Sequence, residues 1–257
     1  MTYFNRLSVF LFCGIMSSSS CQDLLQLKPQ LGKLIDLSIE GEKSFYESLK
    51  ICDSIFEKLE TLGDISKLTE NEQNILENCE GPMNYYDVLS PGCSWYCGGG
   101  LDTLSASSVL KPGKQTRYDV QNIHDLDYST AWVEGVPGNG IGEYVCYHFP
   151  PQNPRINKLI IVNGYVKTDK TWRENSRVKS LKMYINDVPY ALLQLEDVKN
   201  EQIFQVEPIG YSERKDYDLL IKNPWYTIKF EIIEVYQGSK FKDTAITEIY
   251  FDGIDVH

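Results

Sequence analysis

A chain of 257 residues, 42% of them apolar, is long enough for one large domain, or one domain with an appendage, and can bury a core. Its 25 basic and 36 acidic residues leave a net charge of -11. That balance excludes nucleic acid as the partner, because phosphate binding needs a basic surface, and it disfavours electrostatic docking on anionic lipid. Calcium, or a neutral ligand such as a sugar, is compatible with it.

Residues 1–21 read as an export signal. Arg6 supplies the positive start, residues 7–16 (LSVFLFCGIM) form an apolar run too short to span a bilayer, and four serines lead to Cys21. Small residues before a cysteine resemble a bacterial lipobox, with Cys21 as the lipidated residue and a lipid anchor as the only tie to a membrane. The other reading is a cleaved signal with Cys21 as an ordinary thiol. An exported chain can keep disulfides, and Cys52, Cys79, Cys93, Cys97 and Cys146 are the candidates, with the pairing open.

Residues 22–80 read as a helical hairpin or stalk. Leu31, Leu34, Ile35, Ser38 and Ile39 have helical spacing, continued by Phe45, Leu49, Cys52, Ile55, Phe56 and Leu59. Gly63 is placed to cap that helix, and Thr69 with Glu72 has the capping-box spacing that starts a second one, ending at Gly81–Pro82. Residues 81–103 are a Cys- and Gly-rich connector. From Leu104 onward the pattern is β. Val145, Tyr147 and Phe149 alternate with polar neighbours, as do Ile228, Phe230 and Ile232, and residues 156–165, 179–186 and 246–253 add further strands. Short strands between Gly, Pro, Asn and Asp turns make a sandwich or jelly roll.

Three constellations carry chemistry. In DLDYSTAW (125–132), Asp125, Asp127 and Thr130 offer oxygens spaced to wrap a hard cation. The same residues also make a hydrogen-bonded turn in which Asp and Thr bind backbone amides. In GVPGNGIGE (135–143) the glycines do not form a phosphate-binding loop and instead mark tight turns beside a binding edge. In NGYVKTDKTWRENSR (163–177), aromatic faces suited to stacking on sugar stand with polar groups suited to hydroxyls; the same loop can also simply cover the core. Together with Glu134, the candidate ligand contacts are Tyr165, Trp172, Asn175 and Arg177. On that reading Trp172→Ala removes sugar retention at little cost in stability. With three His residues, one of them terminal, no nucleophile–base pair stands out, and the chain reads as a binding module with no enzymatic activity.

At these residues the sequence resembles a known family. SASSVL (105–110), NIHDLDYSTAWVEGVPGNGIGE (122–143), IIVNGYVK (160–167), ENSRVKSL (174–181) and VYQGSKFKDTAITEIYFDG (235–253) are similar to the NAD glycohydrolase translocation-type, or NADase-type glycan-binding, domain. The resemblance spans residues 104–257. It implies a mainly β fold, a discoidin-like, galactose-binding-like jelly-roll β-sandwich preceded by a small α-helical N-terminal region. It also implies non-catalytic binding of a glycan or glycoconjugate, with no NAD as cofactor, since the helical part is too short to be the NAD-cleaving domain. In related domains one structural calcium is held by a D-x-D/N-x-x-T-x-W loop and a late glutamate. Carried across, the metal ligands are Asp125, Asp127, Thr130 and Glu248, with main-chain oxygens near Ile123. Leu126 stands where that family usually has glycine, and leucine tolerates a positive φ poorly, so a differently shaped loop is expected. The competing expectation is a protein-interaction module that docks an envelope protein without sugar.

Overall fold

The computed structural model describes residues 24–77, 79, 84–90, 94–113 and 116–256. The export signal with Cys21, as well as Cys93 and His257, lies outside the described residues. Eleven strands dominate: β1 (Leu25–Leu27), β2 (Gln30–Leu34), β3 (Thr103–Ala106), β4 (Trp132–Val133), β5 (Tyr144–Phe149), β6 (Arg155–Asn163), β7 (Ser176–Ile185), β8 (Val188–Gln194), β9 (Asn200–Ile209), β10 (Tyr226–Tyr236) and β11 (Thr244–Ile254). The helices are α1 (Ile39–Leu62), α2 (Glu70–Leu76), α3 (Asp169–Glu174) and α4 (Tyr217–Leu220).

The strands form two layers. One runs β2-β9-β6-β11, with β4 beside β11, and the other runs β1-β8-β7-β10-β5-β3. The layers join at one corner, where Thr244 and Ala245 of β11 pair in parallel with Ser176 and Arg177 of β7. Alternation decides which side chains face inward. Val145, Tyr147 and Phe149 of β5 and Ile228, Phe230 and Ile232 of β10 are all buried, as their spacing predicts. They meet Leu159, Ile161, Phe204, Ile249 and Phe251 from the facing layer. Phe251 brings its ring to 5.1 Å from Tyr147 and 5.2 Å from Phe149, edge to face. The result is a jelly-roll β-sandwich with one continuous core.

Two parts of the N-terminal half depart from the sequence reading. Residues 25–34 are strand, not helix. β1 adds to β8 in one layer and β2 adds to β9 in the other, so this short segment closes the open side of the sandwich. The helical spacing of Leu31 and Leu34 does not mark a buried face, for both are exposed; free sheet edges with unpaired amides outweigh a weak local preference. The connector also contributes to the core. Trp95 is fully buried and donates from Nε1 to the carbonyl of Pro154 (2.9 Å).

The helices begin and end where their caps dictate. Ser38 accepts from the Gly41 amide at 3.0 Å, and Gly63, at φ 68°, closes α1 with its amide on Leu59. Thr69 and Glu72 make both bonds of the capping box that starts α2, which ends at Leu76, before the Gly81–Pro82 step. A disulfide between Cys52 and Cys79 ties α1 to the segment after α2. It closes 27 residues of sequence separation, worth about 3 kcal/mol in the chain-entropy account. Cys52→Ser is therefore expected to speed amide exchange in α1 and α2 selectively, with β5 and β10 still protected. Equal loss of protection in the sandwich strands would contradict this. No helix among the described residues is long and apolar enough to cross a membrane.

Candidate functional site

The loop from Asn122 to Thr130 lies against β11, and its acidic side chains turn inward upon it. Thr130 Oγ1 donates to Asp125 Oδ2 (2.8 Å), the Ser129 amide donates to Asp127 Oδ1 (2.7 Å), and the Asp127 amide reaches both Asp125 Oδ1 (3.2 Å) and Glu248 Oε1 (3.1 Å). Leu126 adopts φ 62°. The leucine therefore takes the left-handed conformation that a glycine would take freely. Its side chain packs against the buried cluster that includes Val88, Tyr128 and Tyr250, which offsets part of a cost of roughly 1–2 kcal/mol.

Glu248 is the unusual member of the group. It is fully buried and its Oε2 has no hydrogen-bond partner. Burial, followed by the neighbouring Asp125 carboxyl, holds its pKa well above the ordinary carboxylate range. Asp127, in contrast, spends its carboxylate on a turn. Among the described residues no three His, Cys, Asp or Glu side chains converge as a metal-binding group. The donors present are the Asp125 and Glu248 carboxyls, the Thr130 hydroxyl, and the carbonyl of Asn122, 3.4 Å from Thr130 Oγ1. These oxygens are of the kind a hard cation takes.

The expected ligand contacts separate into two groups. Arg177 is buried and fully engaged. It makes a two-pronged ion pair with Asp197 (2.7 and 2.9 Å), donates to the carbonyls of Asn175 (2.9 Å) and Trp172 (3.3 Å), and lies 4.6 Å from the centre of the Trp172 ring. Trp172 in turn donates to the Asn163 carbonyl (3.1 Å), and Asn175 uses its amide on the carbonyl of Thr171 (2.8 Å). Gly164, at φ 79°, is required beneath this pair, because a Cβ there would stand 2.6 Å from Arg177 Cγ and 2.8 Å from Trp172 Cδ1. Glu134 is likewise buried and accepts from the Val136 and Thr244 amides (2.9 and 3.0 Å). These four side chains brace α3, the sheet corner and the glycine loop. Glu134 and Arg177 lie in the interior, and Trp172 and Asn175 are half-buried.

Tyr165 belongs to a different setting. It borders an open cavity of about 600 Å³ with Ser129, Thr130, Asn122, Arg117 and Lys167. Asn122 holds the wall together by donating to the carbonyls of Arg117 and Ala131, both at 3.1 Å. Burial pushes the Tyr165 phenol up to about 12, helped by Tyr118 and the charge of Asp127, so it stays a neutral hydroxyl at any physiological pH. Arg117 and Lys167 were missed from sequence, as 50 residues separate them and only the fold brings them to one rim. The sole local signal was the glycine-flanked, hydroxyl-bearing run 113–118 just ahead of the loop.

The model of the NAD glycohydrolase translocation F5/8 type C domain matches residues 95–252, so it takes in Trp95 and leaves out α1 and α2. Among solved structures the chain is similar to the family 32 carbohydrate-binding module of Streptococcus pneumoniae EndoD (8% identity, TM-score 0.42, covering 61% of this chain and 99% of that one). It is also similar to the family 32 module of Clostridium perfringens NanJ in complex with galactose (14%, 0.39, 58% and 91%). A third is the CBM32-1 and CBM32-2 pair of Clostridium perfringens ZmpB with GalNAc (13%, 0.41, covering 60% of this chain). The matched part spans only 33% of that last structure. No curated protein matches the chain.

Proposed function

This chain belongs to the NAD glycohydrolase translocation F5/8 type C domain family, and we propose that it acts as a non-catalytic carbohydrate-binding module of an exported, lipid-anchored envelope protein. The observation that carries the reading is the polar cavity beside Tyr165. It is concave, roughly the size that a small glycan unit fills, and walled by hydroxyl, amide and aromatic groups of the kind that meet sugar hydroxyls and ring faces. A calcium ion bound next to it would be held by Glu248 and Asp125 with the oxygens of Thr130 and Asn122. It would supply the positive charge that the carboxyl pair lacks and fix the loop that forms one cavity wall. Anchoring follows from the signal reading of residues 1–21 and Cys21 alone.

The test is to fill the cavity. Gly113 lies on its rim, and a Cβ there meets nothing closer than the Thr116 carbonyl at 4.0 Å. Gly113→Trp is expected to fold normally and to lose retention on immobilised glycans. Undiminished retention by a folded Gly113→Trp protein would move the ligand to another surface. The second reading, docking of an envelope protein, has support from exposed Ile39, Tyr46, Ile51 and Phe56 on α1. Stoichiometric recovery of one envelope protein by wild type, lost when these residues are made polar, would favour it.

A further inference from the structure

We infer that the Tyr165 cavity selects acidic glycans, sugars bearing a carboxylate or sulfate, and that Arg117 and Lys167 are the residues that read the acid. This rests on the glycan-binding reading above and adds the ligand class to it. The chain as a whole is strongly acidic, at -11, yet the charged side chains lining this cavity are both positive. Both are exposed, and among the described residues neither makes an ion pair with an acid. What sets these two cations apart is that they line one cavity together with no acid among its lining residues, where an external anion can reach both. They line the cavity from separate segments, Arg117 from the one before the loop and Lys167 from the one after β6.

The nearby acids do not fill this role. Asp125 and Asp127 belong to the adjoining loop, where the Thr130 hydroxyl and the Ser129 amide each occupy a carboxylate oxygen, and neither lines the cavity. The remaining groups of the wall are neutral. Ser129, Thr130, Asn122 and Tyr165 are suited to the hydroxyls and ring of a sugar, and the Tyr165 phenol remains protonated. A uronate or sulfated sugar matches all of these features at once, and an uncharged sugar would leave the two cations unmatched. The guanidinium of Arg117 can take a carboxylate or sulfate in a two-pronged geometry, while Lys167 contributes a point charge. Both are surface charges, so binding falls as salt rises.

The test compares three probes on the purified protein, a glucuronate-terminated, a 6-sulfated and an uncharged hexose trisaccharide, by isothermal titration at low and high salt. The expected result is tighter binding of one or both acidic probes. Arg117→Gln and Lys167→Gln should each weaken it about tenfold, and Arg117→Lys should retain most of it, as expected for loss of one charge-assisted contact. Affinity for the uncharged probe should change less than twofold. Which acidic probe wins distinguishes a carboxylate from a sulfate seat. Equal affinity for all three probes would overturn the acidic preference while leaving glycan binding in place. Acidic binding that both glutamine variants leave intact would overturn the assignment to these two residues. Binding of none of the three by folded protein would overturn the inference together with the reading beneath it. Circular dichroism melts confirm that the exposed-site variants fold.

Discussion

Arg177→Ala is expected to lower stability by about 3 kcal/mol, not merely to remove a ligand contact. Removing one partner of a buried ion pair costs roughly 3–5 kcal/mol, and the lower end applies because the Asp197 side chain retains 36% exposure. The guanidinium also satisfies two carbonyls and lies over Trp172, and its backbone sits where β7 meets β11 at the corner of the sandwich. Trp172→Ala should cost a similar amount through lost packing, the bond to Asn163 and the stacked cation. Because the two side chains share one contact, the double variant should lose less than the sum of the single losses. Denaturant melts of the two single variants and the double would measure this. Unchanged midpoints with abolished glycan retention would return both residues to the binding face.

The second large effect concerns Glu248. Calcium is expected to raise the melting temperature, with stabilisation of about 2.7 kcal/mol at a hundredfold excess over its Kd. Glu248→Gln should remove that response and should make the calcium-free protein more stable, because it eliminates a buried carboxylate facing Asp125. The pH dependence has a definite sign. The folded-state pKa of Glu248 is raised above the ordinary 4.5, so its contribution is fully present below pH 4.5 and is lost as pH rises through the folded value. In chelator the melting temperature should fall across that range; in calcium it should hold, and in Glu248→Gln the profiles in calcium and chelator should coincide. His124 acts in the opposite direction. Burial lowers its pKa, so its contribution is present above pH 6.5 and lost on acidification. A wild-type protein indifferent to calcium and chelator across the range would remove the ion from the account.

What was legible in the sequence was what local patterns encode. Period-2 alternation located β5, β7 and β10, a more buried apolar run located β6, and Gly63 and the Thr69–Glu72 box set helix ends by backbone geometry that no tertiary contact overrules. The DLDYSTAW loop was legible as a unit, and Asp127 makes the hydrogen-bonded turn that one of its two readings describes. What failed depended on distant partners. β1 and β2 exist because the edges of β8 and β9 are open, which lies far along the chain. α3 was hidden in a polar loop whose Thr168 caps Thr171. The interior partners of Arg177 and Glu134 were not legible, because charge on a side chain does not reveal whether an Asp197 or a pair of amides lies waiting in the interior.

The most direct test of the central claim, that the cavity beside Tyr165 receives a glycan, is a broad glycan array run with the wild-type protein and with Gly113→Trp. The account predicts selective retention by wild type and loss in the filled variant. A blank array from folded, monodisperse wild-type protein, or retention that the filled variant reproduces, would contradict it.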